Sequence, residues 1–375
     1  CGMLSLREKV ERTIESLISQ GKYQRQQDEP FELYCHTRGY LSSVCDGSIK
    51  SYEEIARSGK DCLLLNARLL ADASVLEALV REKGYIHVCG DSIVGGLIEA
   101  HQVQVFDSFV DDVIPEDAFE TFQKKEIRAR LVAYPWELIK ENPRELEADF
   151  NLLGGGGIYS EVTDGVWLVE EGKIRIESDV LLSPGVVIDA TEGPIRIDSG
   201  VRIMANACLT GPLYIGTGSV IKIGAKIYGE TSIGKVCKIG GEVGESIFHG
   251  YSNKQHDGFV GHSYICEWVN LGAGTDTSDM KNNYSNISVQ IGDTKIDTGE
   301  MFVGLFIGDH SKSGIGTMFN SGTVVGVCCN IFGGDYPPKY VPSFVWGGSG
   351  RFEEYILEKA LETARRAMAR RDHDL

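Results

Sequence analysis

IDSGVRIMANACLTGPLYIGTGSVIKIGAKIYGETSIGKVCKIGGEV, residues 197–243, decides the fold. An aliphatic residue returns every sixth position, at Ile197, Ile203, Leu209, Ile215, Ile221, Ile227, Ile233 and Ile239. Four residues after each stands a small or apolar one: Val201, Ala207, Leu213, Ser219, Ala225, Thr231, Cys237 and Val243. A spacing of six fits neither the 3.6-residue period of an amphipathic helix nor the alternation of a half-buried strand. It fits a β-solenoid, in which each hexad is a short strand plus a turn. The aliphatic residue points inward and the small residue fits the corner. The expected architecture is a parallel β-helix of the left-handed triangular kind, with three hexads per coil.

Working outward, Ile176, Leu182 and Ile188 are already six apart, and the jump of nine to Ile197 places three extra residues at one corner. Past Val243 the period fails from Glu245 to Gly258, resumes at Phe259, Ile265 and Leu271, and fails again from Thr275 to Ser285. Val303, Ile315 and Val327 are taken as the frame of the later hexads. Phe352–Arg371 has helical spacing, with Leu357, Leu361, Ala364 and Met368 on one face. Arg365, Arg366, Arg370 and Arg371 near its end suit the helix dipole and read as capping and solvated surface.

Upstream, Ser5 with Glu8 forms a capping box ahead of Leu6, Val10, Ile14 and Leu17, and Gly21 follows the end. Cys62–Leu65 and Tyr85–Cys89 are apolar runs suited to buried strands, and Ile93–Glu99 looks helical. Tyr134-Pro135-Trp136 and Asn142-Pro143 read as breakers. Gly154–Gly157 reads as a hinge, since a phosphate cradle needs a strand before it and a helix after it. The division expected is an α/β domain over 1–153, a glycine-rich linker over 154–164, the β-helix over 165–345 and a C-terminal helix over 346–375.

At 375 residues the chain is long enough for two or three domains. A net charge of −17 argues against nucleic acid or an anionic membrane as partner. No apolar run approaches a membrane span and no signal peptide is visible. Ten scattered cysteines without a CxxC or Cys/His zinc spacing imply a reduced, cytoplasmic protein. The chain begins Cys-Gly-Met, which suggests a missing N-terminal piece.

A solenoid core is filled with its own side chains, so chemistry belongs where the repeat breaks. Lys254-Gln255-His256, then Val269-Asn270-Leu271-Gly272-Ala273-Gly274-Thr275, then Asn283-Tyr284 occupy that break. Their order, with fourteen residues from His256 to Asn270, resembles the acetyltransferase half of the bacterial N-acetylglucosamine-1-phosphate uridylyltransferase / glucosamine-1-phosphate acetyltransferase family. The whole chain is similar to a divergent branch of these proteins, closely over about 165–350 and loosely before. The resemblance implies acetyl-CoA as co-substrate, an amino-sugar phosphate as acceptor and a homotrimer. His256 would be the general base, since an imidazole titrates near neutrality. Ala273 would offer its N–H to the thioester oxygen. Asn270, Lys254 and Phe259 would face the sugar, and Asn283, Tyr284, Leu305 and Ser321 the cofactor. Phe259 stands where the family has a sugar-binding tyrosine, and the step from Ala-Gly-Thr to Asn-Tyr is four residues longer. No equivalent is found for the family's Arg and Lys on the sugar phosphate.

In the front domain the glycine-rich loop of a nucleotidylyltransferase is absent. Arg7 and Lys9 are candidate phosphate contacts, or solvated residues of a helix face. Asn66 sits where the family has the aspartate for Mg2+. Nucleotidyl transfer with a β-helix that only trimerises, and a non-catalytic sugar-nucleotide-binding scaffold, remain alternative readings. So does a zinc hydratase built on His249, His256 and His262, and His310 beside Asp309 is a second candidate base.

Overall fold

Each hexad between residues 197 and 243 closes one side of a triangular coil. The computed structural model describes residues 1–22, 32–45, 47, 49, 51–110, 112–348 and 351–375. Ile197 pairs in parallel with Ile215 and Ile215 with Ile233, eighteen residues per coil. One face holds ten strands, from Gly157–Ile158 to Tyr340–Val341. A second holds five, from Leu181–Leu182 to Asn253–Lys254, and a third six, from Trp167–Val169 to Phe259–Gly261. The coil is the left-handed parallel β-helix. All eight aliphatic positions and all eight residues four steps later are buried, so the axis of the helix is a continuous apolar core. Asn206, Gly224 and Gly241 stand on successive coils at one corner with φ of 62°, 66° and 70°. That left-handed conformation is open to glycine, and to asparagine more readily than to most residues.

The late hexads follow a different frame from the one expected. Ile307, Ser313, Phe319, Val325 and Ile331 are six apart and buried, whereas Ile315 is 85% exposed. Ser313 hides the frame because an inward hydroxyl stands where an aliphatic residue is sought. It is satisfied there by Thr275 Oγ1 at 2.7 Å and by the Gly272 N–H at 3.0 Å.

Contacts divide the chain into two units, Leu4–Ala133 and Cys1–Met3 with Tyr134–Leu375. The first contains α1 (Leu6–Ser19), α2 (Tyr52–Arg57), β1 (Cys62–Leu65), α3 (Ala73–Arg81), β2 (Tyr85–Cys89), β3 (Ser92–Ile98) and β4 (Gln123–Glu126). Its sheet has the order β1-β3-β2-β4. The expected helix at 93–99 is β3 instead. Gly90-Asp91 turns the chain into an antiparallel pair, and Gly95-Gly96 would weaken a helix. A Cβ on Gly96 would lie 2.1 Å from the Tyr85 carbonyl oxygen, so close pairing demands glycine.

The expected boundary at 153 moves to 133/134. Residues 135–152 form α4 (Pro135–Leu152), which packs on the solenoid, with Trp136 against Phe306 and Phe150 beside Tyr214. Pro135 starts it at a position where no N–H is needed. Pro143 lies inside it without ending it, because its neighbour is pinned to the solenoid. Asn142 Oδ1 accepts from the Gly2 N–H at 2.6 Å and from Ser232 Oγ at 3.0 Å, and its Nδ2 donates to the Glu230 carbonyl. The glycine-rich linker is likewise part of the fold: Gly157–Ile158 is the first strand of the ten-stranded face. The C-terminal segment opens with Val345–Gly348 paired to Arg351–Glu354, and the helix is the shorter α5 (Leu357–Ala369).

Candidate functional site

His256 occupies a bend between the strands Asn253–Lys254 and Phe259–Gly261. Its side chain is exposed and makes no hydrogen bond among the described residues. The bend is fastened from above: the Gly274 N–H donates to the Asp257 carbonyl at 2.9 Å, and the Phe259 N–H to Asp276 Oδ1 at 2.7 Å. Gly258 has φ 124°, and a Cβ there would lie 2.2 Å from the Thr275 carbonyl oxygen. Gly258→Ala is expected to displace the bend and destabilise the fold by about 1–3 kcal/mol, read as a lower denaturant midpoint than wild type.

Lys254 is not a surface contact. It takes an inward hexad position opposite Ile239, is 1% exposed, and donates from Nζ to the carbonyls of Gly240 (2.9 Å) and His256 (3.0 Å). Its ammonium holds the inner side of the bend and is out of a substrate's reach. Burial pushes its pKa down to about 8, against the opposing pull of Asp276, Asp257 and Glu242. Below pH 8 the buried charge weakens the fold fully. Above it the folded chain releases a proton that the unfolded chain keeps, so stability rises towards pH 10.5. The difference in unfolding free energy between wild type and Lys254→Met should move in favour of wild type by up to about 3 kcal/mol over that window. A pH-independent difference would refute the depressed value.

Asn270 faces outward, in register between Asn253 and Lys312 on adjacent coils. Ala273 lies in the turn above the bend, and its N–H has no acceptor among the described residues. Phe259 is half-buried. Tyr284 is 67% exposed at the tip of the second insertion, and Asn283 Oδ1 accepts there from the N–H and Oγ of Ser285. Leu305 and Ser321 are both fully buried, Leu305 within the solenoid core and Ser321 against Asn320, unlike the exposed cofactor contacts expected of them. Neither side chain can meet a cofactor.

In the front unit, Arg7 pairs with Glu11 at 3.2 Å and Lys9 is 2% exposed, so the solvated helix face expected for both holds for Arg7 alone. Asn66 stands just past β1, but its Nδ2 donates to the Ile93 carbonyl and its Oδ1 accepts from the Arg68 N–H. No group of three His, Cys, Asp or Glu among the described residues could hold a metal ion. The residues present at this strand end do not fit a magnesium site.

Sequence reasoning passed over His262 as an acid–base group. Its Nδ1 lies 2.9 Å from Asp279 Oδ2 and 3.9 Å from Glu245 Oε2, and its ring stacks on Phe302. No spacing signals this pairing, since Asp279 belongs to the second insertion. His249 meets the Tyr264 hydroxyl. His310 stacks on Trp268 at 6.0 Å, and Trp268 stacks on Tyr251 at 4.3 Å. Burial, then Lys312, depresses the His310 pKa while Asp309 opposes them. It is a rung of an aromatic ladder along one corner.

Residues 1–156 match the sugar nucleotidyl transferase family. The chain is also 28% identical over 203 residues to a bifunctional sugar-1-phosphate nucleotidylyltransferase/acetyltransferase of Sulfurisphaera tokodaii, covering 54% of this chain and 44% of that one. It is 30% identical over 236 residues to the bifunctional protein GlmU of Synechococcus elongatus, covering 56% of this chain and 48% of that one. The chain therefore spans about half the length of the curated relatives it matches. Among solved structures, a putative acetyltransferase of Bacillus cereus is similar at 15% identity with a TM-score of 0.30, over 51% of this chain and 93% of that one.

Proposed function

We propose that this chain transfers an acetyl group from acetyl-CoA to the amine of an amino-sugar phosphate of the glucosamine-1-phosphate class, in the cytoplasmic supply of sugar nucleotides for the cell envelope. The observation that carries the reading is the bend of His256 fastened beneath the Gly272-Ala273-Gly274-Thr275 turn, in a chain similar to a bifunctional sugar-1-phosphate nucleotidylyltransferase/acetyltransferase. The sugar's neutral amine attacks the thioester carbonyl, and His256 accepts the proton that the new amide nitrogen sheds. The carbon–sulfur bond breaks, and the proton returns to the departing CoA thiolate. Ala273 offers its N–H to the oxygen as charge develops, Asn270 binds the sugar from the outward face, and Asn283 and Tyr284 contact the cofactor. The functional assembly is a homotrimer. The test is CoA release from acetyl-CoA against a panel of amino-sugar 1-phosphates; no release with any acceptor would sink the reading.

A second reading, sugar-1-phosphate nucleotidyl transfer by residues 1–156, is favoured by the family match of that segment. Pyrophosphate release from UTP or dTTP with a sugar-1-phosphate would support it. Asn66, occupied by two backbone partners, speaks against it.

A further inference from the structure

The chain's net charge is −17, yet Lys238 and Arg371 converge on Asn253 on one outer strip of the solenoid, with Lys222 on the neighbouring strand and Arg370 next in the chain. Lys238 faces outward in register between Val220 and Asn253. Lys222 follows on the neighbouring strand, where its N–H donates to the Ile239 carbonyl at 2.8 Å. From beyond the end of α5, Arg371 reaches across this strip. Its guanidinium donates to the Val236 carbonyl and, at 2.9 Å, to Asn253 Oδ1. Arg370 stands beside it, exposed.

None of the four has an ion pair among the described residues. Burial first, then Arg371, Arg370 and Lys222, hold the Lys238 ammonium below its usual range. Burial and Arg370 do the same to Arg371, against Cys237 and Tyr251. Exposed cations that repel each other ordinarily splay into solvent. Lys222, Lys238 and Arg371 are half-buried, and Arg371 is tethered at two points, so these charges stay together. Such a cluster is electrostatically unfavourable until an anion completes it. Guanidinium forks and ammonium groups are the side chains suited to phosphate oxygens.

The strip is joined to the bend already described, since Asn253 precedes His256 by three residues, about 10 Å of extended chain at most. We propose that Lys222, Lys238, Arg370 and Arg371 form an anion site that takes a phosphate group of a substrate used at the His256 bend. The identity of that substrate rests on the acetyl-transfer reading; the binding of phosphate does not.

The experiment is calorimetric titration of the full chain with inorganic pyrophosphate at low and high salt. Wild type should bind, more weakly as salt rises. Lys238→Met and Arg370→Met should each weaken binding about tenfold and flatten the salt dependence. Arg370 is exposed, so its variant keeps the fold, which its thermal midpoint verifies. Titration with glucosamine-1-phosphate and with adenosine 3′,5′-bisphosphate then separates the two sources of phosphate. Loss confined to the first assigns the site to the sugar, and loss confined to the second to CoA. No pyrophosphate uptake by wild type at millimolar concentration, or unchanged binding in both variants, would overturn the site. Phosphate binding without CoA release would leave the site standing and remove the acetyl-transfer reading.

Discussion

His256→Ala should lower kcat for CoA release by about 10²–10⁴-fold and leave the fold intact. The imidazole is exposed, and no described residue accepts from it or donates to it, so its removal opens no cavity and orphans no partner. Surface changes of that kind stay within about 0.5 kcal/mol, a shift in thermal midpoint of about 2 °C or less in a chain of this size. Pyrophosphate release by the front segment, if the second reading holds, should be untouched. Full acetyl transfer by the variant would remove His256 as the base. The residue to test next would then be His262, whose Nδ1 is already held by Asp279.

Ile215→Ala should destabilise the protein by about 2–5 kcal/mol, and Ile315→Ala by no more than about 0.5 kcal/mol. The two residues are chemically identical. Ile215 is fully buried between Ile197 and Ile233 on adjacent coils, where deleted methylenes leave a void that stacked strands cannot close. Ile315 lies almost wholly in solvent. Urea unfolding of both variants decides it. A frame in which Ile315, rather than Ser313, points inward would give Ile315→Ala the large effect.

The middle of the solenoid was legible because its signal is local and repeated. Eight inward aliphatic residues are fixed by one spacing, and each coil reads the same way. The late coils were not, because Ser313 and the buried Thr275, Thr277, Thr317 and Thr323 satisfy their hydroxyls inside the coil, and a hydrophobic pattern does not register them. Pro143 misled for a related reason. Local propensity ends a helix there, but the hydrogen bonds of Asn142 to Gly2, Ser232 and Glu230 outweigh it.

The candidate site divides along the same line. The family resemblance singled out His256, Asn270 and the Gly-Ala-Gly-Thr turn, since a motif needs only residue type and spacing. It could not say which side chains are free. Lys254 and Leu305 lie inside the coil because the hexad phase there turns them inward, and Ser321 is buried in the turn ahead of Thr323. Nor could it join Asp279 to His262, or Arg371 to Asn253, which are separated by insertions and by the length of the solenoid. Short-range periodicity is enough to encode the rail, a coil whose contacts recur every eighteen residues from Ile197 to Ile233. Which charges meet is settled at long range in the folded chain, because burial and pairing depend on how many residues each corner holds before the chain returns to the same face.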